Sequence, residues 1–569
     1  MSLETLIAAA RGEEPADLLL KNAQMVNVFS CEIHPADIAI HNGRVLGFGD
    51  YHQARQVVDL NGKFVCPGLM DAHVHMESSM VRPPEFARAV VPRGTTTVIS
   101  DPHEIANVLG LDGVRYMLDA SEGLPLTVYV MAPSCVPATH MESAGAELTA
   151  GDIEELWTYE RVIGLAEMMN YPGVLFRVPA VLEKLKIAGD RPVDGHAPGL
   201  SDLDLNAYIA AGVSSDHECT QVEEAREKLR RGMHIMIREG AAARNLRALL
   251  PLVTPANAHL CHLCTDDRHP EVLVDEGHMD DVVRRAIAWG LDPVRAIQMA
   301  SINTADYFGL RNVGAVAPGH RADLLVLDDL KALEVAQVYA GGELVAEEGQ
   351  LLPAAANLRH VPIQPSVHVN LAAIDLTMPA GLGPARVIGA IPGQVVTDDR
   401  RMEPTVDDGR VVSDPSRDLL KMAVIERHHN TGNVGLGLVN GVGLKQGAIA
   451  SSVAHDAHNL VVIGANDDDM RAAIAAIVEM GGGQVAVAGG EVRAACPLPV
   501  AGLMSDRPLL EVYDQVKALT TAAHSLGCTL PDPLMTMSFL ALPVIPSLKL
   551  TDQGLVDVNK FDFVPLFGA

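Results

Sequence analysis

Hydrophobic residues in the middle of the chain occur in short runs that end on polar residues. Residues 69–75 read LMDAHVH, so an apolar run leads directly into His73 and His75. Residues two apart in a strand point to the same side, so both imidazoles can reach one metal ion. The alternative is that these are two unrelated histidines in a loop.

The same pattern recurs along the chain and predicts eight strands. Several of the runs are followed by helical patterns, such as VEEAREKLRRG after the sixth run. Eight strand–helix units within residues 66–309 match the length of a TIM-type (β/α)8 barrel. The predicted strands are 69–75, 95–103, 126–133, 161–168, 191–197, 212–218, 233–239 and 262–267.

The two flanks of this segment contain strand-like runs joined by turn signals. Asn42-Gly43 and Gly341-Gly342 each separate two such runs and predict hairpins. We therefore expect one small flanking β-sandwich domain built from both sides of the barrel. The predicted domains are this sandwich at 1–65 and 310–357, the barrel at 66–309, and a C-terminal domain at 367–569.

The C-terminal domain is predicted to be mixed α/β. A segment at 358–366 is predicted to be the linker that precedes it. The predicted strands of this domain are 368–376, 385–396, 434–443 and 459–465, and the predicted helices are 468–483 and 507–527. The glycines at 481–483 are expected to end the first helix and form a turn.

Composition narrows the class of protein. The 569 residues are 48% hydrophobic and 20% charged, which indicates a globular chain of two or three domains. The formal net charge of −29 without a basic stripe argues against nucleic-acid and anionic-membrane binding. No apolar run approaches 18 residues, and the N-terminal segment lacks the features of a signal peptide. We therefore expect a cytoplasmic protein.

The eight cysteines are scattered and are expected to be reduced. Cys261 and Cys264 form a lone CxxC without the second pair that a zinc ribbon needs.

The polar residues at the predicted strand ends form a candidate metal centre. In (β/α)8 barrels the carboxyl ends of the strands build the active site. Four imidazoles and two carboxylates suit two divalent ions bridged by one carboxylate, and these ligands suit Mn²⁺, Fe²⁺ or Zn²⁺ without choosing among them. The candidate ligands are His73, His75, Glu167, His196, His217 and Asp266, with Asp267 as an alternative to Asp266.

This arrangement resembles the amidohydrolase superfamily. The resemblance rests on HxH at strand one, histidines at strands five and six, and aspartate at strand eight. Many members have a carboxylated lysine at strand four, where this chain has Glu167. Within the superfamily, PGLMDAHVHMESSM, SDPHEIANVLG, DGHAPG and HHNTGNVGLGLVNG are similar to the bacterial adenine deaminases. The similarity extends over nearly the whole chain.

The resemblance implies hydrolytic deamination of adenine to hypoxanthine and ammonia by a metal-activated hydroxide. Asp266 is the expected proton carrier, and Glu167 is the expected bridging ligand. We expect a homodimer that acts on a small molecule. The alternatives are an amidohydrolase that acts on a cyclic amide or another 6-substituted purine, and a barrel protein without catalytic activity.

Further polar residues near the strand ends are candidates for substrate binding. Arg238 and Glu239 end strand seven, and Asp101 and His103 follow strand two. The first two can instead form an ordinary surface ion pair, and the second two can instead bind an additional metal. Four histidines of the C-terminal domain either cover the barrel mouth or lie in solvated loops: His428, His429, His455 and His458.

Overall fold

The middle of the chain forms a barrel of eight parallel strands, as predicted. The structure is a computed structural model that describes residues 3–241, 243–355 and 361–568. Each of the eight predicted strands is present. The strands are Leu69–Val74, Thr95–Ser100, Thr127–Ala132, Val162–Met168, Val193–Gly195, Ser215–Asp216, His234–Arg238 and Cys261–Cys264.

The eight barrel strands form two hydrogen-bonded ladders, and backbone hydrogen bonds close the barrel at the two gaps between these ladders. The first ladder joins strands one to five, and the second joins strands six to eight. The Ser214 N–H donates to the Val193 carbonyl at 3.0 Å. On the other side, the His75 N–H donates to the Asp266 carbonyl at 3.0 Å, and the Asp266 N–H donates to the His73 carbonyl at 2.9 Å. The second closure fixes three candidate ligands relative to one another.

Strands five, six and eight are shorter than predicted because their last residues have already turned into loops. His196, His217 and Asp266 each lie just beyond the strand that positions them. Asp266 has φ +59°, in the left-handed region that non-glycine residues rarely adopt. Such conformations concentrate at functional sites, where the surrounding structure determines them.

The barrel interior is a packed apolar core below the mouth. One side chain from each of six barrel strands packs with Phe308, and the residues are Ala72, Ile99, Met131, Ala166, Met236 and Cys264. The barrel is therefore filled, and its polar residues are confined to one end.

Helices cover the outside of the barrel. They are Pro83–Val90, His103–Leu109, Leu111–Ala120, Ala150–Leu156, Tyr171–Leu175, Pro179–Ala188, Asp202–Ala210, Val222–Arg230, Leu246–Leu249, Pro270–Asp275, Met279–Ala288, Pro293–Met299 and Ile302–Tyr307.

A nine-stranded sheet draws strands from both sides of the barrel. Phe64–Pro67 pairs antiparallel with Leu324–Asp329, which joins the two sides. Both predicted hairpins are confirmed, at Asn42-Gly43 and Gly341-Gly342, with positive φ at all four residues. The remaining strands are Ala16–Asn27, Glu32–His41, Arg44–Phe48, Ala54–Asp59, Glu334–Ala340, Glu343–Glu347 and Gln350–Leu351, and a helix at Leu3–Ala10 precedes them. The domain boundaries stay a prediction.

The C-terminal region is built on an eight-stranded sheet with helices. Its strands are Ala385–Ala390, Thr397–Met402, Leu420–Ile425, Val434–Asn440, Ala448–Ser451, Leu460–Gly464, Gly483–Ala488 and Glu491–Pro497, and its helices are Asp467–Met480, Leu509–Ser525 and Pro533–Phe539. Two smaller sheets consist of Thr405–Asp407 with Arg410–Val412, and of Leu548–Thr551, Gly554–Asp557 and Asp562–Phe563. Among the described residues, no helix is long and apolar enough to cross a membrane.

One predicted strand of this region is wrong. Residues 368–376 contain only a 3₁₀ turn at Leu371–Ala373, because this run does not pair with the sheet. Both predicted helices are confirmed, and the first ends at Gly481 with φ +72°. The predicted linker at 358–366 lies partly outside the described residues, and 361–366 has no regular structure.

A buried ion pair connects the loops that follow strands five and six. The Lys228 ammonium donates to the Ala197 carbonyl at 2.7 Å and to Asp216 Oδ2 at 3.0 Å. Asp216 Oδ1 in turn accepts from the Ala197 N–H at 2.9 Å. Ala197 follows His196, and Asp216 precedes His217, so this pair fixes both histidine-bearing loops.

We predict that Lys228→Met lowers the free energy of unfolding by ~3–5 kcal/mol, because Asp216 is left buried without its partner charge. Denaturant titration of the purified variant measures this. The double variant Lys228→Met/Asp216→Asn should recover part of the loss, and Lys186→Met on an exposed helix position serves as the control. A loss for Lys228→Met no larger than for the control would contradict the prediction.

Candidate metal centre

The Glu167 carboxylate lies at the centre of a cluster of histidines. Its Oε1 is 3.2 Å from His75 Nε2 and 3.7 Å from His73 Nε2. Its Oε2 is 2.6 Å from His196 Nδ1 and 3.2 Å from His217 Nε2. The two oxygens of one carboxylate therefore face two different histidine pairs.

The Asp266 carboxylate faces the first of these pairs. Its Oδ1 is 3.1 Å from His75 Nε2 and 3.5 Å from His73 Nε2. Its Oδ2 accepts a hydrogen bond from the Arg238 guanidinium at 2.6 Å. One oxygen is therefore turned to the histidines while the other is anchored outside the cluster.

The chemistry of these donor atoms fits divalent cations. The Nε2 atoms of His73 and His75 face each other at 3.2 Å. The His75 Nδ1 lies 2.9 Å from the Asp101 carbonyl, which can only accept, so Nδ1 carries the proton and Nε2 presents a lone pair. Imidazole and carboxylate atoms from several residues also converge within 4.8 Å of one another. A buried set of this kind suits transition-metal ions.

Among the described residues, at least four such groups overlap across the barrel mouth. They are His73 with His75 and Asp266; His73 with Glu167 and His217; His75 with Asp101, His103 and Glu167; and His196 with His217 and Glu218. The first two groups share His73 and reach different sides of Glu167.

Electrostatics keep the two central carboxylates ionised. Burial alone would raise the pKa of Glu167, but His196 and His217 outweigh it and hold that pKa well below its usual range. Burial likewise opposes ionisation of Asp266, but the Arg238 guanidinium and the two histidines of strand one lower its pKa. Both side chains therefore present negative charge to the cluster.

Asp101 and His103 also lie in the cluster, at the end of strand two. His103 Nδ1 is 3.2 Å from Asp101 Oδ2 and 3.6 Å from Glu167 Oε1. Both side chains are buried. Their position is compatible with either substrate or metal contact, and their predicted role in substrate binding stays a prediction.

Arg238 lies between two carboxylates, those of Asp266 and Glu218. Sequence reasoning missed Glu218, whose carboxylate is 3.5 Å from His217 Nε2 and 3.7 Å from His196 Nδ1. Burial would raise the pKa of Glu218, but Arg238 and the histidines lower it. The sequence feature that could have identified Glu218 is its position directly after His217 in the run SDHEC.

The structure does not bring Glu239 into the cluster. Its Oε2 accepts from the Leu246 N–H at 3.2 Å, and its Oε1 is 3.7 Å from the Arg285 guanidinium. Adjacent strand residues face opposite sides, so Arg238 points to the mouth and Glu239 points away. Asp267 is also turned aside, where it accepts from the Ser78 hydroxyl.

A fully buried aspartate supports the strand that carries His73. Asp71 Oδ1 accepts from the His73 N–H at 3.2 Å and from the Thr265 N–H at 3.1 Å. Asp71 Oδ2 accepts from the Thr265 hydroxyl and is 3.1 Å from His278 Nε2. This carboxylate therefore ties strand one to the residue that precedes Asp266.

The C-terminal region contacts the barrel beside the cluster. His455 Nδ1 is 2.5 Å from Glu104 Oε1, and His458 Nε2 contacts the other oxygen of the same carboxylate. Glu104 directly follows His103, so two of the four C-terminal histidines lie against the mouth rather than in solvated loops. His428 Nε2 instead lies 2.7 Å from the Ala457 carbonyl, and His429 Nε2 lies 2.9 Å from the Ala144 carbonyl.

The chain matches two protein families and is similar to individual proteins along its whole length. The Amidohydrolase family matches residues 64–345, and the Adenine deaminase C-terminal domain matches residues 394–562. The chain is 55% identical over 566 residues to an adenine deaminase of Desulfatibacillum aliphaticivorans, covering 99% of each chain. It is 53% identical over 571 residues to an adenine deaminase of Methanothrix thermoacetophila, covering 100% of each chain. A Dehalococcoides mccartyi adenine deaminase is 50% identical over 567 residues, covering 99% of each chain.

We predict that Glu167→Gln loses at least one tightly bound divalent ion. The amide keeps the size of the side chain but removes the charge, and its nitrogen is not a ligand, so one histidine pair loses its shared carboxylate oxygen. Elemental analysis of the purified variant measures the stoichiometry, with Glu183→Gln on an exposed helix position as the control. Two retained ions with an activity loss of only about 10–100-fold, typical of a supporting residue, would rule out a bridging role.

Proposed function

Because the chain belongs to the adenine deaminase family of amidohydrolases, we propose that it hydrolyses adenine to hypoxanthine and ammonia. The observation that carries this proposal is sequence identity of 50–55% to adenine deaminases along the entire chain. The convergence of imidazoles and carboxylates at the barrel mouth supports it, because hydrolytic deamination needs an activated water molecule.

We propose that two divalent ions are held on opposite sides of Glu167. His73, His75 and Asp266 would hold one ion, and His196 and His217 would hold the other. When bound, such ions act as Lewis acids that lower the pKa of water to about 7, which supplies a nucleophile at neutral pH. Mn²⁺ is the proposed metal, and Fe²⁺ or Zn²⁺ are the alternatives that this donor set accepts.

Asp266 is the proposed proton carrier. In the reaction, the oxygen of water adds to C6 of adenine, ring nitrogen N1 gains a proton, and the bond between C6 and the amino nitrogen breaks. The proton on the oxygen now bound to C6 passes to the amino group, which leaves as ammonia while the C6 carbonyl of hypoxanthine forms. An ionised carboxylate beside the reacting atoms can accept the proton of water and deliver it to nitrogen. Asp266 Oδ1 faces the cluster, 3.1 Å from His75 Nε2, which places the carboxylate beside the reacting atoms.

Arg238 is the proposed positioning residue for Asp266. Its guanidinium donates to Asp266 Oδ2 and contacts Glu218, so two carboxylates fix its orientation. Two anchored contacts of this kind hold the Asp266 carboxylate in one rotamer. Asp101 and His103 remain the proposed substrate contacts on the other side of the mouth.

The proposal also includes where the protein acts and how it assembles. The protein is expected to act in the cytoplasm, in keeping with its reduced cysteines. It is expected to form a homodimer.

We predict that the Mn²⁺-loaded protein releases ammonia from adenine and prefers the free base to adenosine. The reason is that neither the motifs nor the described residues of the mouth include a ribose-binding group. Ammonia release from adenine, adenosine, guanine and cytosine, compared with ring opening of dihydroorotate, measures this. Ring opening without ammonia release would overturn the proposed function, and comparable kcat/KM values for adenosine and adenine would overturn the preference.

We predict that Arg238→Met lowers kcat about 10–100-fold and leaves KM nearly unchanged, because Asp266 loses its anchor while substrate contacts remain. Arg238→Lys should recover part of kcat, and the control is Arg226→Met at a half-exposed surface position of a helix. Steady-state kinetics on adenine, with metal content measured in parallel, tests the assignment. A rise in KM with kcat unchanged would show that Arg238 binds the substrate instead.

A further inference from the structure

Glu218 is a carboxylate of the barrel mouth that has no role of its own in the proposed function. It lies in the loop beyond strand six, directly after His217, and its side chain is largely buried. The Glu218 N–H donates to Asp216 Oδ2 at 3.1 Å, and Asp216 is paired with Lys228. This buried ion pair therefore fixes the loop from which Glu218 faces the cluster.

The first histidine pair lies within a complete set of four ligand atoms. The Nε2 atoms of His73 and His75 are 3.2 Å apart. Asp266 Oδ1 lies 3.5 Å and 3.1 Å from these two nitrogens, and Glu167 Oε1 lies 3.7 Å and 3.2 Å from them. Metal–ligand bonds of ~2.1 Å separate the ligand atoms of a tetrahedral ion by about 3.4 Å. Two nitrogens and two oxygens are therefore spaced to bind one ion.

Glu218 completes the same set of atoms around the second histidine pair. Its Oε1 is 3.5 Å from His217 Nε2 and 3.7 Å from His196 Nδ1. Glu167 Oε2 is 3.2 Å from His217 Nε2, so these three separations match those of the first set. The fourth, 2.6 Å between Glu167 Oε2 and His196 Nδ1, is a direct hydrogen bond that an ion between the two atoms would replace. Two nitrogens and two carboxylate oxygens thus converge on each side of Glu167.

The outer carboxylates of the two sets share one anchor, the Arg238 guanidinium. Its Nη1 donates to Asp266 Oδ2 at 2.6 Å and contacts Glu218 Oε1. Hydrogen bonds of this kind orient the side chains that bind metals. Glu218 is therefore oriented by the same group as Asp266, which already has a proposed metal-binding role.

We propose that Glu218 binds the second divalent ion together with His196 and His217. Glu167 supplies its second oxygen to that ion, so each ion has two imidazole and two carboxylate ligands. A second carboxylate on this side makes the ligand set more suitable for Mn²⁺, because carboxylates suit that ion. This inference rests on the two-ion centre of the proposed function and adds a seventh ligand to the six that the sequence predicts.

The alternative role of Glu218 is to hold Arg238 in place. Glu218 would then act on the metal centre only through Arg238 and Asp266, and its loss would resemble the loss of Arg238. As a ligand, Glu218 acts on the side of His196 and His217 without the help of Arg238. The two roles therefore predict different metal binding for variants of Glu218 and Arg238.

The experiment measures Mn²⁺ binding rather than activity. Metal-free wild type, Glu218→Gln and Arg238→Met are titrated with Mn²⁺ in equilibrium dialysis, and elemental analysis gives the bound ions per chain. Wild type should bind two ions. Glu218→Gln should keep one ion and bind the other more than ~100-fold more weakly, beyond the 10–100-fold loss typical of a supporting residue. Arg238→Met should weaken neither ion by more than that range.

Further measurements separate metal binding from folding. The matched control is Glu223→Gln, which changes an exposed carboxylate on the helix that follows Glu218. Thermal unfolding of each metal-free protein shows whether the variant is folded. Diffraction from the Mn²⁺-loaded wild type at the manganese edge needs no variant. It should place a Glu218 oxygen about 2.2 Å from the ion beside His196 and His217.

The outcomes distinguish this inference from the proposed function. Selective weakening of one ion in Glu218→Gln, but not in Arg238→Met or the control, supports the inference. Both ions bound by Glu218→Gln as tightly as by Arg238→Met, or a Glu218 oxygen more than about 3 Å from the second ion in wild type, overturns it and leaves the proposed function intact. A wild type that binds fewer than two ions overturns the inference and the two-ion centre together. Failure of the wild type to release ammonia from adenine overturns the proposed function itself.

Discussion

The site depends on one buried carboxylate, that of Glu167, whose two oxygens face two separate histidine pairs. Four imidazoles packed at a barrel mouth have lone pairs that need either protons or metal ions. A carboxylate between them supplies negative charge to both sides, and the rest of the mouth is arranged around it. Its environment holds its pKa well below the usual range, so the charge persists at neutral pH.

The fold supplies this geometry through contacts beneath and beside the histidines. Asp71 ties strand one to Thr265, and the reciprocal backbone hydrogen bonds of Asp266 close the barrel beside it. Lys228 and Asp216 fix the two loops on the opposite side. The C-terminal region contacts the barrel mouth at Glu104. The candidate ligands thus come from five strands but are held as one unit.

The sequence predicted the barrel because each strand is a hydrophobic run that ends on a polar side chain. It could not determine which polar residues beside the strand ends face inward. Glu218 faces the cluster although it directly follows His217, because both lie in a loop beyond the strand, whereas Glu239, which follows Arg238, does not. It also could not reveal contacts such as that between Glu104 and His455, which are 351 residues apart. The false strand at 368–376 has a suitable composition but no partner strand among the described residues, and pairing decides whether such segments become strands.

The most direct test of this account is a crystal structure of the Mn²⁺-loaded protein, with anomalous diffraction data collected at the manganese edge. We predict two anomalous peaks per chain, about 3.5–4 Å apart as in other two-metal sites, with one oxygen of Glu167 bound to each. A single peak, or two peaks with Glu167 bound to neither or to only one, would contradict the central role assigned to this carboxylate.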